Sequence, residues 1–151
     1  MTQEQKELLL KDLCARLPYG VKAYVKNWSK LDRKWYEGVY TVESIHPSLN
    51  NILVYSERFS VEVIVGYDDY EIKPYLFPMS SMTKKQKDYI RNRFCYEWES
   101  DEEVSDLWKH KLEFGDALEF IQWCYENHLD INSFIPKGLA TDATGKNIYQ
   151  L

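Results

Sequence analysis

Residues 13–26, Leu13-Cys14-Ala15-Arg16-Leu17-Pro18-Tyr19-Gly20-Val21-Lys22-Ala23-Tyr24-Val25-Lys26, are where the chain changes period. Leu13 and Leu17 close a stripe that begins with Leu9 and Leu10, at the three-to-four spacing of an amphipathic helix. Pro18 and Gly20 break that helix. From Val21 onward apolar and polar residues alternate, the period-two pattern of a half-buried strand. A helix followed by sheet predicts an α+β fold.

Upstream of this boundary the spacing predicts a helix over 3–17, with Thr2 as N-cap and Gln5 completing a capping box. Downstream, four strands are predicted at 21–26, 36–45, 51–56 and 59–65, separated by turn residues that include Pro47, Ser48 and Asn50. Four short strands joined in sequence form an antiparallel meander. A sheet this small buries itself best by curling, so the expected form is an SH3-like β roll with the first helix over an open end.

Residues 66–82 are too apolar for a free linker, yet Pro74 and Pro78 disfavour a helix or a central strand. The segment is expected to pack as an irregular apolar strap. Thr83, with Gln86 three residues on, caps a second helix running to about Tyr96. Residues 97–106 hold six acids and no base, and a further helix follows Asp116, which with Glu119 resembles another capping box. A short helical turn is expected before Pro136, then a loosely held tail. The chain thus divides into 1–82, the N-terminal helix with its β roll and strap, and 83–151, a C-terminal helical unit packed on it as part of one compact structure.

The 151 residues are 44% apolar, with 12 Tyr, 6 Phe and 5 Trp, enough to bury a core and to exclude wholesale disorder. No apolar run approaches the roughly 20 residues that span a bilayer, and the polar, acidic N-terminus lacks the pattern of a signal peptide. The expectation is a cytoplasmic protein with no membrane contact. Cys14, Cys95 and Cys124 form no CxxC pair; Cys14 and Cys124 fall in helical patterns and are expected as buried small hydrophobes.

The motifs of chemistry are missing. His46, His110 and His128 make no HExxH or i, i+4 pair, so there is no local metal nucleus; His128, near a helix end, reads as a partner of the helix dipole. There is no GxSxG elbow. Gly138 to Lys146 resembles a phosphate loop only superficially: six residues separate the glycines where four are needed, and Asn147 follows the lysine where Ser or Thr would hold magnesium. The expectation is a non-enzymatic protein without cofactor, metal or catalytic residues.

Between residues 22 and 36, Lys22, Lys26, Lys30, Arg33 and Lys34 are interleaved with Tyr24, Trp28, Trp35 and Tyr36. Bases for phosphates and rings for stacking are what single-strand nucleic-acid binders use. Lys22, Tyr24, Lys26, Lys30, Arg33 and Lys34 are therefore candidate nucleic-acid contacts. Against this, the net charge is −5 and the pI about 5.3, where dedicated nucleic-acid-binding domains are basic. Trp28, Trp35, Tyr36, Trp98 and Trp108 are the candidate contacts for a protein partner, because Trp and Tyr dominate interface hot spots.

Three segments carry a resemblance: Leu8 to Lys22; Ile72-Lys73-Pro74-Tyr75-Leu76-Phe77-Pro78-Met79-Ser80-Ser81-Met82-Thr83; and Glu126 to Ile131 with Ile135-Pro136-Lys137-Gly138-Leu139-Ala140. Together they resemble a family of small uncharacterised proteins from gut anaerobes and their phages. The resemblance implies a phage or mobile-element setting and transfers no activity or site. The expected function is a binding or adaptor protein that contacts a protein partner or itself through exposed aromatics. The alternatives are a single-stranded nucleic-acid binder using 22–36, and an inhibitor or nucleotide trap against host defence.

Overall fold

The computed structural model describes residues 1–29, 33–46, 51–56, 61–66, 70–94 and 114–149. Trp98, Trp108, Lys30, Cys95, His110 and the acidic run 97–106 lie outside the described residues. The fold is α+β: an N-terminal helix, a mixed sheet and later helices.

Helix α1 spans Gln3–Arg16 and begins with the expected capping box: Gln5 N–H donates to Thr2 Oγ1 at 3.2 Å, and Thr2 N–H donates to Gln5 Oε1 at 2.9 Å. A single 3-10 turn, Leu17–Tyr19, ends at Gly20, whose φ of +66° suits a residue without Cβ. The strands are β1 (Lys22–Ser29), β2 (Lys34–His46), β3 (Asn51–Ser56), β4 (Val61–Gly66) and β5 (Tyr70–Leu76), with a two-residue β6 at Thr141–Asp142. Helices α2 (Lys84–Phe94) and α3 (Phe114–Glu126) lie between β5 and β6. The sheet order is β4-β3-β2-β1-β5-β6; β5 and β6 run parallel and every other neighbouring pair is antiparallel.

Within the segment expected as an irregular strap, Tyr70–Leu76 instead form strand β5, with Pro74 opposite Ala23 of β1. The proline is accommodated because of its parity. Leu76 C=O accepts from Ala143 N–H on the β6 side, so the even-numbered residues of β5 turn their backbone polar groups away from β1. Pro74 therefore costs no ladder bond to β1. Beyond β5, a 3-10 turn (Met79–Ser81) leads to Thr83, which caps α2 as its spacing with Gln86 predicts.

One face of the sheet is packed. Ala23, Val25, Tyr40, Val42, Ile52, Val54, Ile72 and Leu76 meet Leu9 and Leu13 of α1 and Phe134, Leu139 and Ala140 of the tail. Each fully buried leucine here is worth about 1.5–3 kcal/mol. A second cluster joins Met82, Ile90, Phe120, Cys124 and Leu129, with Phe77 and Met79 against it. Arg93 clamps α2 to α3 by donating to Glu119 at 2.6 Å and Asp116 at 3.5 Å. Asp116 thus serves an ion pair inside the helix and is not its cap, since α3 already begins at Phe114.

The tail expected to be loosely held is instead anchored over its described residues, to 149. The Asp130 carboxylate accepts from the N–H groups of Phe134 and Ile135, both at 2.8 Å, which organises turns where a helical turn was expected. Tyr149 sits at the end of the β1–β5 ladder: its oxygen accepts from Lys22 N–H at 3.2 Å and its hydroxyl donates to Tyr75 C=O at 2.7 Å. Among the described residues no helix is long and apolar enough to cross a membrane.

Candidate functional site

The face of the sheet away from α1 carries the candidate site. Strand alternation puts Val21, Ala23, Val25 and Asn27 in the interior and Lys22, Tyr24, Lys26 and Trp28 on the outer face. In β2 the outward residues are Trp35, Glu37 and Val39, and register sets them beside β1: Trp28 opposite Trp35, Lys26 opposite Glu37, Tyr24 opposite Val39. On the other side of β1, Glu71 and Lys73 of β5 stand opposite Lys26 and Tyr24.

The centre of this face is a cross-strand tryptophan pair. Trp28 and Trp35 have ring centroids 5.5 Å apart with planes tilted by 59°, a geometry that aromatic pairs favour. Trp35 keeps 56% of its surface exposed and Trp28 37%, and Val39 is also exposed. Polar groups frame the pair. Lys26 Nζ lies 5.5 Å from the Trp35 ring centroid and 3.9 Å from the Glu37 carboxylate. The Tyr24 hydroxyl donates to Glu37 Oε1 at 2.7 Å, and this bond holds the phenol up at about 12. Lys73 pairs with Glu71 at 2.5 Å.

The structure therefore gathers Trp28, Trp35, Lys22, Tyr24 and Lys26 on one face. Tyr36 does not join them: it lies opposite Asn27, on the other side of the pleat from Trp35. Arg33 lies in the turn before β2 at φ +52° and is exposed. The side chain of Lys34 is outside what is described, as are Lys30, Trp98 and Trp108. The linear count of bases over 22–34 misses the acids. Glu37, one alternation beyond Trp35, and Glu71, brought alongside by β5, offset Lys26 and Lys73, so the apolar centre is bordered by two ion pairs, with Lys22 farther along β1. Glu37 was readable from strand parity; Glu71 was not, because Pro74 disguises β5.

A second cluster of functional groups is buried, where the end of α3 and the tail meet α1. Arg16 and Asp12 are both fully enclosed; Arg16 donates to Asp12 at 2.7 and 3.1 Å and to Leu129 C=O at 2.8 Å, and its guanidinium lies 4.7 Å from the Tyr125 ring centroid. Asn132 donates to Asp12 at 2.9 Å. Nearby, His128 stacks on Tyr149, with centroids 3.8 Å apart and planes 11° from parallel. Burial, reinforced by the Arg16 charge, lowers His128 to about 4. It is therefore neutral at pH 7 and is not the charged dipole partner expected from its place after α3. Cys124 is buried, its thiol pushed up to about 12 by desolvation, whereas Cys14 is exposed and not the buried hydrophobe expected. Among the described residues no three His, Cys, Asp or Glu side chains are grouped to hold a metal.

Comparison with protein-family models, curated proteins and solved structures returned no match.

Proposed function

We propose that this chain is a non-enzymatic binding protein that docks a partner protein on the outer sheet face centred on Trp28 and Trp35. The observation that carries this reading is the exposed tryptophan pair with Val39 beside it, ringed by the Lys26–Glu37 and Lys73–Glu71 pairs. A ring-rich centre inside a polar rim is the composition of an interface hot spot. It also weighs against the nucleic-acid reading, since the cations beside the tryptophans, Lys26 and Lys73, are offset by Glu37 and Glu71 where a phosphate backbone needs uncompensated ones, and against a nucleotide trap, which needs an enclosed pocket that this face does not supply.

The sheet itself fits the proposed SH3-like roll. Its order places β5 beside β1, and the 13-residue β2 pairs with β1 through its first part and with β3 through its last. The register shift between Val42 and Ser44 supplies the bend a roll requires. The setting proposed from the resemblance is the cytosol of a host cell carrying a phage or mobile element.

Affinity capture from phage-bearing gut anaerobes, with the wild-type chain beside a Trp28→Ser, Trp35→Ser variant, tests the reading. One or more proteins enriched by the wild type and lost with the variant is the expected result. An identical set with both chains overturns it, as does retention of the wild type on single-stranded polynucleotide that the double variant loses. A wild-type dimer in sedimentation that the variant abolishes would make the partner a second copy.

A further inference from the structure

We infer that the free edge of β5 is a second binding site, which takes an extended, acidic peptide segment of a partner as an added strand. Strand β6 covers only the end of this edge, pairing Thr141 with Tyr75 and Asp142 with Leu76. Upstream of β6 the chain leaves the edge, because Leu139 and Ala140 give their N–H groups to Phe134 C=O at 2.9 and 3.3 Å. Among the described residues the lane beside Glu71–Lys73 is left without a strand. In its place runs a groove of about 380 Å³ between Gln5 of α1, Glu71–Lys73 of β5, and the turn at Lys137–Leu139.

The backbone of β5 is set for pairing there. The parity fixed by Leu76 and Ala143 turns the N–H and C=O of Ile72 toward the lane, whereas the C=O of Pro74 on the same side is taken up by the Tyr75–Thr141 pairing with β6. Unpaired edge groups in this register are a template for strand addition, with main-chain bonds giving affinity and flanking side chains giving selectivity. β6 already uses the adjoining groups of the same edge in this way.

The charge of the groove selects the occupant. Glu71 and Lys73 offset each other at 2.5 Å. Lys137 Nζ donates at 2.8 Å to a neutral acceptor, Asn132 C=O, and among the described residues no carboxylate pairs with it. An added strand with Asp or Glu beside Lys137 supplies that carboxylate. This edge is distinct from the tryptophan face, so the two sites stand or fall separately.

The test is panning of a random hexapeptide phage library on the full-length chain, followed by amide hydrogen exchange with the selected peptides. Expected are sequences enriched in Asp and Glu that slow exchange at the Ile72 amide, with affinity lowered about tenfold or more by Lys137→Glu, a change on an exposed side chain. The inference is overturned if no peptide is selected above background, if the selected peptides protect other amides and leave Ile72 unchanged, or if Lys137→Glu binds them as the wild type does.

Discussion

Arg16 and Asp12, one turn apart on α1, form an ion pair at 2.7 Å with both side chains out of solvent. The desolvation of two charges is offset by a dense set of partners: two bonds between them, one to Leu129 C=O, one from Asn132, and the Tyr125 ring against the guanidinium. Three chain regions, α1, the end of α3 and the tail, are tied together at this one pair. Removing a single partner strands a buried charge. Asp12→Ala is expected to cost about 3–5 kcal/mol, while Asp12→Leu combined with Arg16→Met costs far less than the two single changes summed. Urea unfolding of Asp12→Ala, the two single changes and their combination checks this; a single Asp12→Ala loss below about 1 kcal/mol would contradict the role given to the pair.

The phenol of Tyr149 stands in for a ladder bond between β1 and β5, receiving Lys22 N–H and donating to Tyr75 C=O. Tyr149→Phe keeps the ring against His128 and Phe77 and orphans two backbone groups. The expected loss is about 1–3 kcal/mol. Burial also pushes this phenol up, so it should remain protonated while exposed tyrosines ionise. Ultraviolet titration of wild type against Tyr149→Phe should show no difference in ionised tyrosine below the unfolding pH.

His128 makes stability depend on acid. Its folded value is lowered from 6.5 to about 4, whereas the unfolded chain has the ordinary value. Between these limits the unfolded state binds a proton that the folded state refuses, so stability falls as pH drops from 6.5 toward 4. The shift corresponds to about 3 kcal/mol at full extent. His128 also sits at φ +53°, a region Asn tolerates better than most residues. His128→Asn should therefore fold and lose this component of the slope. Urea midpoints from pH 7 to pH 4 for the two chains should converge toward the acid end; parallel curves would remove His128 from the account.

Much of the fold was legible because local signals were strong. The capping boxes at Thr2 and Thr83, the helix stop at Pro18 and Gly20, and β3 at 51–56 all follow from side-chain chemistry within a few residues. Strand β5 was hidden because its tolerance of Pro74 depends on which way the backbone faces once β1 is alongside. The Arg16–Asp12 pair was hidden for a related reason: its partners Leu129, Asn132 and Tyr125 come from more than 100 residues away. Of the candidate site, Trp28 and Trp35 could be named from the sequence, but their contact depends on the β1–β2 register.

The two described cysteines separate by environment. Cys14 lies on the solvent side of α1, while Cys124 is fully enclosed in the second core cluster with its thiol raised to about 12. Thiolate is the reactive form, so Cys124 is shielded both by access and by protonation. Brief treatment of the native protein with an alkylating reagent should modify Cys14 and spare Cys124, and both should react in denaturant. Peptide mass mapping reads the two positions directly. The rate at Cys124 then serves as a probe of opening: Asp12→Ala, which loosens the contact of α3 with α1, should raise it, and Trp35→Ala, on the far face of the sheet, should leave it unchanged. Rapid native labelling of Cys124 in the wild type would mean that the cluster of Met82, Ile90, Phe120 and Leu129 does not close over it.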